Sequence, residues 1–342
     1  MVWRQRVDKV GRYLSRGDLS GLMAEVHQFW TWQRTRKRLL AFGPSHPETE
    51  GAFWGQIDMD STRRSAWTSA GDLGYWAFQR MCNERYPAMM DLILDMMKIP
   101  FGEPFRGLVL GCGDMVAEYA AFTHPKLSFA EVDAYDVSAQ SIERARKLTD
   151  ESGLKVNYHL SDVNEVELPA NQYALIIVFH AFHHIQQVDH VAQQIARALL
   201  PGAVFYTWDY VGPRKLQFSE RQSFYAQMML QLLPTRYRRQ LDGAIRQQVQ
   251  RMSPDRLSPD EAISSDQILS AVARHMDVIW QHNWAGLLYP LLEGIAFNFT
   301  SSDEDQDLLR FLFSLDYALC QAGEVEPNFT ITLATKRQTV CG

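Results

Sequence analysis

Leu108-Val109-Leu110-Gly111-Cys112-Gly113-Asp114 is the stretch on which the reading of this chain turns. Three apolar residues in a row read as a buried strand, and they run straight into a glycine turn. Glycine lets such a turn close tightly and lets the backbone approach a ligand. A helix read at 116–122 then aims its N-terminus at the same crevice. A lone G-x-G says little. Its place between a strand and a helix, at the head of an alternating pattern, says more.

That pattern extends downstream. Strands read at 131–137, 156–160, 174–179 and 203–210. Helices read at 139–152, ended by Gly153, and at 188–200, stopped by Pro201-Gly202. Strand and helix in alternation predict an α/β, doubly wound, Rossmann-like parallel sheet with helices on both faces. Beyond it, 219–251, 265–275, 287–299 and 307–322 read as helices. Two strand-like segments, 277–284 and 328–335, are expected to rejoin the sheet and bring it to seven strands. Upstream, Trp3-Val7-Val10-Tyr13-Leu14 and Leu22-Val26-Phe29-Trp30 fall at helical spacing. Turn formers crowd 42–47, and 72–97 is again helical with a break near Pro87. The chain thus divides into an N-terminal helical cover (1–100), a ligand-binding core (101–213), and a helical insertion with the last two strands (214–342).

Composition narrows the classes. With 34 Lys and Arg against 40 Asp and Glu among 342 residues, the net charge is −6. Nucleic acid is therefore not expected as the main partner, because phosphate binding needs a dense basic face. The clusters Arg34-Arg36-Lys37-Arg38 and Arg236-Arg238-Arg239 read as solvated helix faces. No apolar run approaches the ~20 residues of a membrane helix, and the N-terminus shows no apolar signal region. The four cysteines, Cys82, Cys112, Cys320 and Cys341, are scattered without a C-x-x-C. They read as free thiols in a reducing cytoplasm. The apolar stretch 287–299 is either core or a homodimer interface.

Asp136 ends the second strand, at the separation expected of a carboxylate that accepts from a ribose diol. The third glycine of a dinucleotide fingerprint is missing, since Val116 stands there. Asp162 follows the third strand, placed to accept from an adenine amine, with Val163 packing on the ring. These residues describe a nucleoside site without a pyrophosphate cradle. On them the segment resembles the class I S-adenosylmethionine-dependent methyltransferases: Leu110 to Asp114 match the glycine loop, Tyr135-Asp136-Val137-Ser138 the ribose acid, Asp162 the adenine acid, and 173–179 with His183-His184-Ile185 the fourth-strand motif. The resemblance reaches a bacterial subgroup of glycan or secondary metabolism through Asp209-Tyr210-Val211-Gly212-Pro213-Arg214, Asp260 to Asp266, and Leu287 to Gly294, covering 100–337. It implies S-adenosylmethionine as cofactor, held by Gly111, Cys112, Gly113, Asp114, Asp136, Val137, Asp162, Val163 and His180. The chain departs from the pattern at Met115, where many relatives have a third glycine, and at Val109, where many have an acid. In this reading Met115 narrows the methionine end of the pocket.

Candidates for the chemistry sit where strands four and five end, at the ligand crevice. His183 or His184 could take a proton from a hydroxyl acceptor; either could equally be a structural histidine bonded to backbone. The spacing of His180, His183 and His184 also admits a metal, with Asp189 as partner, but no metal is expected. Asp209 is read as a base or orienter and Tyr210 as a hydrogen-bonding contact to the acceptor or to the cofactor carboxylate. The rival for Asp209 is a capping role, and Arg214 is a partner for it or for an anionic ligand. Trp54, Trp67, Tyr75 and Trp76 either face the sulfonium or pack helices. The expected activity is methyl transfer to a small molecule, with oxygen as the expected acceptor atom. The alternatives are a non-methylating use of the same cofactor, which releases methylthioadenosine, and a non-catalytic cofactor-binding partner protein.

Overall fold

The computed structural model describes residues 49–57, 59, 62–63, 66–99, 104–150, 152–249 and 257–337. The helical patterns expected between Trp3 and Trp30, the turn-rich 42–47, the basic cluster at 34–38 and Cys341 lie outside these residues. By internal contacts the chain forms two units, residues 1–46 with 240–244 and residues 47–239 with 245–342. All elements named below belong to the second.

Its strands are β1 (Phe105–Leu110), β2 (Phe129–Asp136), β3 (Val156–Leu160), β4 (Tyr173–Phe179), β5 (Leu199–Tyr210), β6 (Met276–Trp284) and β7 (Phe329–Lys336). They make one sheet in the order β3-β2-β1-β4-β5-β7-β6. The first five run parallel, and β7 lies antiparallel between β5 and β6. The two late strands do rejoin the sheet. Around it stand α1 (Glu50–Gln56), α2 (Leu73–Met81), α3 (Met89–Met96), α4 (Val116–Phe122), α5 (Ala139–Thr149), α6 (Val188–Ala198), α7 (Glu220–Leu232), α8 (Ile268–His275), α9 (Leu288–Leu292) and α10 (Asp303–Gln321). The central strand β4 is buried from Tyr173 to Val178, as a strand covered on both faces must be. The amphipathic α6 buries Val188, Val191, Ala192, Ile195 and Ala198. A capping box of Ser219 and Gln222 starts α7. No helix among the described residues is long and apolar enough to cross a membrane.

Two expectations are corrected and one open alternative is decided. The helix read over 219–251 stops at Leu232, because Leu233 precedes Pro234 and takes an extended conformation. Pro201-Gly202 does not precede β5 but lies inside it, with Gly202 at φ 78°; a Cβ there would sit 2.6 Å from the Lys98 carbonyl oxygen. The stretch 287–299 is core rather than a dimer face: Leu287, Leu288, Leu291, Leu292, Ile295 and Ala296 are all fully buried.

Met115 stands where the resemblance leads to the expectation of a glycine, and its backbone is of the kind glycine adopts: φ is 60° and ψ 14°, the left-handed region. Its side chain does not narrow a pocket. It is fully buried, with Sδ 3.5 Å from the Tyr158 hydroxyl. Left-handed backbone costs a non-glycine residue about 1–2 kcal/mol, whereas deleting a buried Met side chain costs about 2–5 kcal/mol. Packing therefore outweighs strain. Met115→Gly is expected to lower stability by about 1–3 kcal/mol in urea denaturation; an unchanged or raised midpoint would show that strain dominates.

Candidate functional site

The strand order reverses between β1 and β4, which opens a crevice at their C-terminal ends. The glycine loop leaves β1 there. Gly111 and Cys112 both donate to the Tyr135 carbonyl on β2, each at 2.9 Å, and this draws the turn tight. Gly111 has φ 70°, and a Cβ on it would collide with the Ala181 methyl just past β4. Gly113, at φ 51°, faces open space, since a Cβ there would meet nothing within 4 Å. Cys112 is buried, and burial pushes its thiol well above the usual range. It packs the loop and is no nucleophile. Asp114 is paired with Arg63.

Asp136 ends β2 beside this loop. Its carboxylate accepts from the Gly113 and Ser138 amides, both at 2.8 Å, and each oxygen keeps a further lone pair. Burial raises its pKa, against the pull of those two amides. Val137 is 37 % and Leu160 63 % exposed, and Leu160 stands opposite Asp136 in the sheet register. Asp162 is exposed and accepts from the Asn164 amide at 2.8 Å, while Val163 beside it is buried. Open space over Gly113, carboxylates at the ends of β2 and β3, and bare apolar side chains between them fit a nucleoside. Glu118, under the loop, was not foreseen. Burial raises it to about 8.

The exit of β4 is organised from β5. Asp209 is fully buried. It accepts from the amides of Ala181 (2.9 Å), Phe182 (2.7 Å), His183 (3.2 Å) and Tyr210 (2.8 Å). His183 Nδ1 is a further 2.6 Å contact. Asp209 thus caps the loop before it from across the sheet. Tyr210 is buried, and its hydroxyl donates to the Pro213 carbonyl at 2.8 Å. Arg214 pairs with Asp266, not with Asp209.

The three histidines diverge. His183 Nε2 lies 3.4 Å from Glu261. Burial opposes its charge, but Asp209 and Glu261 override this and hold its pKa well above the ordinary value. His184 Nδ1 lies 2.9 Å from Glu50 of α1, and the Trp54 ring meets its edge at 5.3 Å. Asp189 partners neither of them; it holds Arg274 and His275. His180 stands apart. It has φ 51°, its ring lies among Phe179, Trp208 and Phe329, and its imidazole has no hydrogen-bond partner among the described residues. Burial lowers its pKa to about 4, so it is neutral at physiological pH.

Of the N-terminal aromatics, only Trp54 joins the histidines. Trp67 is buried against Trp284 and Phe329, Trp76 stacks under Arg310, and Tyr75 is exposed. Sequence reasoning did not place Glu50 or Glu261 in this site. Glu261 lies within the Asp260 to Asp266 motif noted in the sequence, but nothing in the spacing says that it meets His183.

Residues 108–207 match the family of methyltransferase domains. With that match go the sheet order, the glycine loop and the β2 carboxylate, which together give the chain the α/β fold of the class I S-adenosylmethionine-dependent methyltransferases. The cofactor of that class is S-adenosylmethionine. No curated protein matches the chain. Among solved structures it is similar to the (4+2)-cyclase SpnF, at 14 % identity over 86 % of this chain and 98 % of that one, with a TM-score of 0.48. It is also similar to phosphoethanolamine N-methyltransferase 2 of Haemonchus contortus, at 18 % identity, 79 % of this chain, 58 % of that one and a TM-score of 0.42. A third is a geranyl diphosphate methyltransferase, at 14 % identity, 72 % and 76 % coverage and a TM-score of 0.42.

Asp209→Asn turns an amide group toward convergent N–H donors and is expected to lower stability by at least about 2 kcal/mol. Calorimetry showing an unchanged melting temperature would contradict this role. For His180 the folded pKa of about 4 lies below the ordinary 6.5. Its contribution to stability is therefore complete above pH 6.5 and lost as pH falls toward 4. His180→Asn, which tolerates the left-handed backbone, is expected to flatten that acid-side decline in pH-dependent denaturation; parallel curves would overturn the assignment.

Proposed function

We propose that the protein is a methyltransferase acting at a hydroxyl of a small molecule, on a glycan or a secondary metabolite. The observation that carries this reading is His180: a neutral, unpartnered imidazole where β4 leaves the sheet, beside the crevice that suits the nucleoside. Bound S-adenosylmethionine supplies an electrophilic methyl group on a sulfonium. The chain's part is to hold and orient. Asp136 would accept from the ribose diol, and Asp162 from the adenine amine, with Val137 and Leu160 flanking the ring. Gly113 leaves room for the ligand to lie on the loop. His180 would take the acceptor's hydroxyl proton at a ring nitrogen, which its lowered pKa leaves free. Phe179, Trp208 and Phe329 exclude water around that nitrogen. His183 and His184, first considered for the same task, have their Nδ1 atoms engaged by carboxylates. Tyr210 and Asp209 act on this reading by fixing the loop rather than by touching the acceptor.

The test is incubation of the protein with methyl-deuterated S-adenosylmethionine and a small-molecule extract, read by mass spectrometry. A deuteromethylated product with S-adenosylhomocysteine supports the proposal. Methylthioadenosine formed without an acceptor would assign the non-methylating chemistry instead. Asp136→Ala is expected to weaken cofactor binding by about 1.5–3 kcal/mol in calorimetric titration; unchanged affinity in a folded variant would remove the ribose from this carboxylate.

A further inference from the structure

We infer that His183, His184 and Glu261 form a binding site for a divalent first-row transition cation of the zinc type. Three separate segments meet here: the exit of β4, the insertion after β5, and α1. His183 Nδ1 is held by Asp209 at 2.6 Å. His184 Nδ1 is held by Glu50 at 2.9 Å. This leaves both Nε2 atoms toward one carboxylate, with His183 Nε2 at 3.4 Å and His184 Nε2 at 4.0 Å from Glu261. One ligand atom from each of the three residues lies within 4.8 Å of the others. Ligand atoms around a shared cation, each ~2.0–2.2 Å from it, lie ~3–4 Å apart. The two Nε2–carboxylate separations, each to a different Glu261 oxygen, are in that range, and a contraction of the one-atom set from within 4.8 Å closes it.

The surroundings are those of a metal centre rather than of a chance cluster. A ligating histidine characteristically gives its other ring nitrogen to a carboxylate, which fixes tautomer and ring orientation. Both histidines have that arrangement. Glu50 is itself fixed, accepting from the Asp260 amide at 2.9 Å and from the Trp54 indole at 2.6 Å. The turn bearing Glu261 is tied to the ligand loop, since the Ile263 amide donates to the His183 carbonyl at 3.1 Å. Three carboxylates, Glu50, Asp209 and Glu261, face two imidazoles in a largely buried space, and a divalent cation offsets that excess. Two imidazoles with one carboxylate disfavour magnesium and calcium, which prefer oxygen ligands, and suit zinc, cobalt or iron. The side chains of His184 and Glu261 retain 12 % and 16 % exposure, so an ion can enter and its remaining positions stay open to water. The site does not depend on the proposed methyl transfer and can be tested without it.

The full chain is stripped with chelator, dialysed, and titrated with cobalt(II) and then zinc(II). Binding is read by the visible d–d bands of cobalt and by calorimetry. The expected result is one cation per chain with tetrahedral-type bands, displaced by zinc. Glu261→Gln and His184→Gln are each expected to weaken binding by at least about 10-fold, while His275→Gln, at the exposed pair with Asp189, leaves it unchanged. Absence of cobalt bands in the wild-type protein overturns the proposal and leaves a buried ion-pair network. Equal affinity in the folded variants overturns it as well. If a variant does not fold, X-ray absorption of the wild-type zinc complex decides: two imidazole nitrogens support the site, and fewer refute it.

Discussion

The buried carboxylate of Asp209 is the interaction on which the site depends. Four backbone amides and one imidazole converge on it inside the sheet. A buried charge with this many donors is compensated where it stands. Because Asp209 ends β5 and three of those amides belong to the loop after β4, the side chain welds two neighbouring strand ends. The path of that loop fixes everything at the mouth of the crevice. Ala181 is pressed against Gly111, His180 is turned into its ring of aromatics, and His183 and His184 are presented to Glu261 and Glu50.

The central sheet was legible because each strand carries its own local evidence. The run Ala174 to Phe179 reads as a doubly covered strand by its length and its β-branched residues, and Gly111-Cys112-Gly113 reads as a turn because it stands between a strand and a helix. Asp136 was legible for the same reason, since its position follows from the strand it ends. What stayed hidden was set by distant contacts. Asp209 was read as a base or orienter, with capping as the rival, because its place at the end of β5 is visible; that capping prevails follows from amides that come mostly from the loop after another strand. Glu50 and Glu261 lie on segments whose path the β-α alternation does not specify. The over-long helix at 219–251 had a visible stop in Pro234, and its periodicity was followed past it. Met115 was recognised as a departure from glycine, but whether it faced ligand or core depended on Tyr158, two strands away in the sheet.

The insertion after β5 and the short α1 work as one closure. Gly51 permits α1 to lie on the backbone at Val137, where any Cβ would collide with the carbonyl. Arg144 of α5 reaches the Trp54 carbonyl at 3.3 Å, and Glu50 reaches across to Asp260 and His184. A helix of seven residues has little stability of its own. Here its carboxylate and its glycine supply the anchoring that its length does not, and it lies on the backbone next to Asp136.

The position of β7 between β5 and β6 bears on how the chain is assembled. During synthesis β6 emerges before the strand that is its neighbour in the sheet, and until β7 arrives it has nothing to pair with. It carries the exposed Val278 and Ile279, so for that interval it is an unprotected edge of the kind that invites association with other chains. The five parallel strands, with the glycine loop after β1 and the carboxylates Asp136 at the end of β2 and Asp162 after β3, can form earlier. Asp209, at the end of β5, can then fasten the β4 loop before the far edge is closed. Chain order thus lets the parallel half of the sheet assemble while its antiparallel edge is still being made.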